Sequence, residues 1–374
     1  MNHFDLAVVG GGIVGLAHAL AAVKRGKRVV LIERDARAVG ASIRNFGFVT
    51  VTGQQAGQAW ERAMRSRDIW DEVAFAAGIP IIHQGLAVVA RSPEALAVLE
   101  EFIATPMGAE CQLLSTDVAL RRFPMLRPEG VTGCLWSPHE RRVESRDAIP
   151  ELTAYLANLG VTLKPGVLVR TVEPPRIETT AGLIHADACV VCPGDDFLTL
   201  FPERIARYSL RRSKLHMLRL ASQPDKWKLP GSVMADLSLV RYLGYAELPA
   251  AAALKAKLER EKSEALENGI HLIVVQSADG SLVVGDSHHY DDTPDPFAPE
   301  VVDSIILNCA NEVLDIPNPQ VIERWTGVYA SSNEQLALVD RPSDAVRIVM
   351  VTSGTGASTG FAIGEEVIAD LFGA

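Results

Sequence analysis

Apolar and polar positions alternate along this chain in blocks whose period switches between two and about 3.6 residues, and the first block is the clearest. "HFDLAVVGGGIVGLAHALAAVKRGKRVVLIERD", His3 to Asp35, runs from an apolar stretch through glycines into apolar residues at helical spacing. Gly26 ends that stretch, and Val29 to Ile32 form a second continuous apolar run. The pattern predicts strand, tight turn, helix and strand, a βαβ unit. "SIRNFGFVTVTGQ" has too few helical features to continue the layer, whereas "AWERAMRSRDIWDEVAFAAG" predicts a helix stopped by Gly78. "IIHQGLAVVARSPEALAVLEEFIATP" predicts a strand, then a helix capped by Ser92 with Pro93 in its first position.

A further helix is predicted between Arg146 and Gly160. Short alternating strands follow, with turns at Pro165-Gly166 and Ala181-Gly182. From Arg211 to Ile322 come more strands, one charged helix over "ALKAKLEREKSEALENG", read as a solvated face, and a second helix after Pro299. The last block, "AVRIVMVTSGTGASTGFAIGEEVIADLFGA", reads as a buried strand, a Gly/Ser/Thr loop and a short closing helix. The expected fold class is therefore α/β. A Rossmann-like domain drawn from residues 1–80, 140–210 and 335–374 carries an inserted, mostly antiparallel α+β domain from 81–139 and 211–334.

Composition narrows the function. A chain of 374 residues with 48% apolar content is long enough for two cores. A formal charge of -10 argues against a nucleic-acid partner, which needs a basic face. Cys111, Cys134, Cys189, Cys192 and Cys309 have no disulfide-framework spacing, and "CVVC" lacks the second pair that would complete a metal site. No metal is expected. The apolar run from Phe4 to Val23 lacks a basic leader and carries Asp5, His18 and glycines, so neither a signal peptide nor a membrane span is expected and the cytoplasm is the default.

Gly10, Gly12 and Gly15 make G-x-G-x-x-G between a strand and a helix. The backbone through Ile13 and Val14 opens that helix, whose N-terminus attracts a pyrophosphate. Glu33 ends the second strand about twenty residues on and suits a ribose diol, which disfavours a 2′-phosphate. The second glycine loop, "SGTGASTG", at a helix start favours a flavin over a nicotinamide. Backbone N–H groups around Thr359 and Gly360 are expected to stabilise charge on a reduced flavin.

"DLAVVGGGIVGLAHALAAVKRGKRVVLIERD", the loop at Ser42, "ADACVVCPGDD", "SLVVGDS", "RWTGVYA" and "SGTGASTGFAIGE" together resemble the glycine oxidase, sarcosine oxidase and D-amino-acid oxidase superfamily of FAD-dependent oxidoreductases. The resemblance implies FAD held by Glu33, Arg34, Ser42, Asn45, Gly47, Val169, Gly194, Gly356, Ser358, Thr359 and Gly360 beside the first glycine motif. It implies a small amine substrate, and oxygen or another electron acceptor. Where amino-acid oxidases of this group carry W-x-G-x-R-P, whose arginine clamps a carboxylate, this chain has Tyr329-Ala330, and Ser358 stands where glycine oxidases place a second arginine. Both departures count against a simple α-amino acid.

"SIRNFG" with the W-T-G-V-Y ending resembles a subgroup that accompanies bacterial aminophosphonate breakdown. That implies oxidation of 2-aminoethylphosphonate or an N-methyl or hydroxy derivative to a phosphonate aldehyde. Arg44, His288, Tyr329 and Ser358 are the substrate-binding candidates, followed by His289, His139 and the "RRSKLH" cluster at 211 to 216. An oxidoreductase for glycine, sarcosine or a D-amino acid and a non-catalytic flavin-binding subunit are the alternatives. Val283 stands where sarcosine oxidases carry an oxygen-activating lysine, so the acceptor stays open. Cys309 lies away from the matching stretches, so dissociable FAD is expected. Oligomeric state leaves no trace in the sequence.

Overall fold

Two sheets organise the chain in a computed structural model that describes residues 3–373. The first runs in the order Ala337–Ser343, Val346–Val351, Gly182–Val191, His3–Val9, Val29–Glu33 and Thr162–Pro165. Along this order the Ala337–Ser343 edge pairs antiparallel and the other four pairings are parallel. Parallel strands are covered on both faces, which is why these segments read as unbroken Val/Ile/Leu runs. Helices Ile13–Lys24, Gly356–Phe372, Gln58–Ala77 and Ser145–Asn158 pack on one face through Leu16, Leu20, Trp70, Leu152, Phe361 and Ile363, all buried. A hairpin of Val169–Glu173 and Arg176–Thr179 continues antiparallel from Gly182–Val191 beside the opposite face.

The second sheet follows the order His289–Asp291, Arg211–Leu220, Leu282–Gly285, Ile273–Gln276, Ser232–Ala235, Ile81–Ala90, Gly133–Val143 and Phe48–Val49. Val321–Ser331 pairs with Arg211–Leu220 over nearly its whole length. All its pairings are antiparallel except Ser232–Ala235 with Ile81–Ala90. Ser92 caps the helix Pro93–Ile103 by accepting from Ala95 N at 3.2 Å, and Gly78 closes Gln58–Ala77 in the left-handed region, as the sequence predicts.

Three expectations change. The boundary at 140 falls inside strand Gly133–Val143, and Phe48 and Val49, opposite its Arg142 and Arg141, lie with it in the second sheet. The charged helix is two helices, Ala251–Glu261 and Ser263–Glu267, broken at Lys262, with Leu254 and Leu258 buried beneath its solvated face. The closing helix is not short: Gly356–Phe372 has 17 residues, and its Gly364 packs against the backbone of Ala17 and His18. Among the described residues no helix is long and apolar enough to cross a membrane.

Candidate active site

The C-terminal ends of the parallel strands open onto a cavity of about 820 Å³ shared between the two sheets. Gly10 follows the first strand with φ of +107°, and a Cβ there would meet Cys192 O at 2.4 Å, so only glycine makes this turn. Gly15 lets the helix lie on the strand, since a Cβ would stand 1.9 Å from Gly10 O. Helix Ile13–Lys24 starts at Gly12 with no side-chain cap of its own. Ser42 Oγ accepts from Ile13 N at 2.9 Å, tying the following loop to this helix start. Glu33 accepts from Gly11 N at 2.6 Å and from Asp35 N at 2.9 Å, which fixes its carboxylate at the cavity wall.

Of the residues singled out in the sequence, Gly10, Gly12, Ile13, Val14, Gly15, Glu33, Arg34, Ser42, Arg44, Asn45, Val169, Gly194, His288, Tyr329, Gly356 and Ser358 line the cavity. Their internal bonds refine what they offer. Arg34 is paired with Asp196 at 2.7 Å. Asn45 shapes its loop, donating to Ala41 O and accepting from Gly47 N and Ser145 Oγ. Ser358 Oγ is engaged by Thr50 N at 2.9 Å. An elongated glycine-lined cleft with a helix start and an acidic strand end suits a dinucleotide, so the residues present fit FAD.

Gly47, Thr359 and Gly360 do not line the cavity. Gly47 is a packing glycine, with Val143 O 1.8 Å from where its Cβ would be. The N–H groups of Ser358 and Thr359 are both bonded to Thr355 O, so the helix begins a turn earlier than the expected flavin contact and Thr359 and Gly360 fall inside it. His139, His289 and the cluster at 211 to 216, with the exception of Leu215, are also off the cavity. His139 sits between Arg67 and Ala109 O, His289 meets Asn268, and Lys214 is held by Asp295 and Phe297 O.

The second sheet and the segments beside its strands supply a group that sequence reasoning missed: Arg241, Tyr242, His271, Asp286 and Tyr290 line the cavity beside His288 and Tyr329. Ring centroids of His271 and His288 are 4.8 Å apart, and Tyr329 lies edge-on to His288 at 6.2 Å. Arg241 donates to Tyr290 Oη at 2.5 Å. Burial pushes the phenols of Tyr242 and Tyr329 up, so both are neutral donors at working pH. Ile273 pairs with Gly285, which sets His271 and Asp286 just beyond one end of the same pair of strands. A lone Asp between a buried strand and two histidines in "VVGDSHH" was the available signal. The facing atoms of His271, Asp286 and His288 all lie within 4.8 Å of one another, a spacing that a cation could also bridge.

The family model described as "FAD dependent oxidoreductase" (DAO) matches residues 5–371. A glycine oxidase of Geobacillus kaustophilus is 26% identical over 209 residues, covering 52% of this chain and 55% of that protein. The bifunctional protein ThiO/ThiG of a Nostoc species is 24% identical over 201 residues, which is 51% of this chain and 31% of that protein, so these two relatives are matched over about half of their length or less. One of the subunits of an opine oxidase from Agrobacterium tumefaciens is 22% identical over 91% of this chain and 85% of its own. The structure is similar to those of the G. kaustophilus glycine oxidase (TM-score 0.78, 19% identity, 99% of this chain and 95% of that one) and of L-proline dehydrogenase from P. horikoshii (TM-score 0.79, 17% identity, 99% and 94%).

Proposed function

This chain belongs to the FAD dependent oxidoreductase family, and from that premise we propose that it oxidises a small amine, specifically an aminophosphonate such as 2-aminoethylphosphonate or its N-methyl or hydroxy derivative, to a phosphonate aldehyde. FAD bound in the cleft supplies the two-electron acceptor for an amine C–H, and the imine so formed is hydrolysed by water. The glycine motif, Glu33, Ser42 and Arg34 would hold the nucleotide part, and Gly354 to Ser358 border the remainder of the cleft. The protein's own residues bind and orient the amine and keep water from the reacting carbon.

The observation that carries the phosphonate reading is the donor set. No arginine stands at 329 or 358, yet Arg241 and Arg44 line the cavity with Tyr242, Tyr290 and Tyr329. A phosphonate carries nearly two charges near neutral pH and asks for several donors, arginine foremost. A single carboxylate asks for one clamp, and the position that carries it in relatives is a tyrosine here.

The test is product analysis. The protein should release ammonia and a hydrazine-trappable phosphonate aldehyde from 2-aminoethylphosphonate, and methylamine from the N-methyl form, far faster than it turns over glycine, sarcosine or D-alanine. Faster turnover of the carboxylates would return it to the amino-acid oxidoreductases. No turnover of any amine would favour a flavin-binding subunit, in line with the resemblance to a protein named as an oxidase subunit.

A further inference from the structure

We propose that Asp286 and His288 form the dock for the substrate's amino group, each accepting one of two hydrogens carried by a single nitrogen. The inference rests on the reading of the cavity as an amine site. Asp286 is 4% exposed, and its two oxygens face different histidines. His271 Nε2 lies 3.0 Å from Oδ1, which leaves Oδ2 as the oxygen turned toward His288. His288 Nδ1 lies 3.0 Å from Gly269 O, and because a carbonyl only accepts, Nδ1 carries the ring hydrogen. His288 Nε2 is then a bare lone pair, 3.9 Å from Asp286 Oδ2. Two acceptors face each other across that gap with no proton between them.

Among the described residues no side chain donates to Asp286 Oδ2 or His288 Nε2, and a ligand with N–H groups satisfies both. A nitrogen with two N–H bonds, at the usual hydrogen-bond length of about 2.9 Å from each acceptor, spans such a gap. Burial lowers the pKa of His288 to about 3, so its ring is neutral and remains an acceptor. Burial pushes the Asp286 carboxyl up, but its interactions with His271, His288 and Arg241 more than offset this and hold it below the usual carboxylate range. Arg241 also decides against the rival occupant. A divalent cation among His271, Asp286 and His288 would add two charges near a guanidinium, whereas a neutral amine adds none.

The dock selects by hydrogen count. A neutral primary amine satisfies both acceptors, a neutral secondary amine satisfies one, and a tertiary amine satisfies neither. The anion of the substrate then lies toward Arg241 and the tyrosines, which share the cavity with the dock.

Binding is measured by anaerobic calorimetry on the FAD-loaded protein, reduced beforehand with dithionite so that it cannot consume the amine. The probes are two matched pairs, 2-aminoethylphosphonate with ethylphosphonate and glycine with acetate. Within the preferred pair the amine should bind at least about tenfold tighter than its amine-free partner. Asp286→Asn, near-isosteric, should abolish most of that ratio while leaving the amine-free ligand within about threefold. His288→Phe, which keeps a ring and removes the acceptor, should do the same, so the two variants check one another, with FAD content reporting on folding. The N,N-dimethyl analogue should lose the advantage in the unmodified protein.

A ratio unchanged in both variants overturns the dock. So does an amine advantage that dialysis against EDTA removes and Zn²⁺ restores. If the ratio appears only in the glycine and acetate pair and falls in both variants, the dock stands and the phosphonate reading fails.

Discussion

Gly15→Ala should yield a colourless protein that no longer retains FAD and melts several degrees lower. The added Cβ would stand 1.9 Å from Gly10 O and 3.0 Å from Gly10 C, and neither can yield. Gly10 is itself held in a turn that only glycine adopts, with its N–H bonded to Ile32 O at 2.8 Å. The helix must therefore lift from the strand and carry Ile13 and Val14 away from the cleft. Overpacking of this kind costs about 1–3 kcal/mol, and loss of a bound cofactor removes its contribution to stability as well. Absorbance near the flavin band and a thermal melt read both effects. Gly26→Ala is the control: its φ of +71° strains alanine, but nothing lies within 4 Å of the added carbon, so a yellow protein with a modest loss of stability is expected. A yellow, fully stable Gly15→Ala protein would contradict the close approach described here.

Arg241→Ala should raise KM for the aminophosphonate by about ten- to a hundredfold, the range expected when a charged hydrogen bond worth about 1.5–3 kcal/mol is lost. Its guanidinium lines the cavity, is steadied by Tyr290 Oη and neighbours Tyr329 and Asp286. Arg44→Ala should cost less. Arg44 also lines the cavity, but it follows the short 3-10 turn Ala41–Ile43 and is exposed, with its backbone carbonyl rather than its guanidinium engaged, by Trp325 Nε1. Arg241→Lys should recover only part of the loss, because an ammonium cannot reproduce a bidentate contact. Steady-state kinetics on the three variants decide the matter, and a larger effect at Arg44 would move the anion to the loop.

The nucleotide half of the site was legible because its chemistry is local. A glycine turn, a helix start and Glu33 lie within one βαβ unit, where spacing in sequence equals spacing in space. The loop after Val351 was legible in kind but misplaced by about a turn: glycines alone do not say where a helix begins, and it begins at Gly356, so Thr359 and Gly360 are inside it. In sequence, a left-handed glycine packed against Val143, as Gly47 is, looks the same as one that approaches a ligand.

The substrate half was largely hidden. Arg241 and Tyr242 lie in a short irregular stretch between helices, while His271 and Asp286 are brought together by the pairing of Ile273–Gln276 with Leu282–Gly285, and no motif announces that register. His288 and Tyr329 were found because they sit in or beside stretches that stand out on their own. Their partner Asp286 was passed over beside them. Strand Arg211–Leu220 lies in the second sheet, where a charged side chain such as Lys214 finds its partner, Asp295, away from the cavity.

The most direct measurement is anaerobic mixing of the yellow protein with 2-aminoethylphosphonate, its N-methyl form, glycine, sarcosine and D-alanine while the flavin band is followed. Rapid bleaching by the phosphonates, with slow or no bleaching by the carboxylates, is the predicted result. Bleaching by glycine, sarcosine or D-alanine in preference to the phosphonates would contradict it.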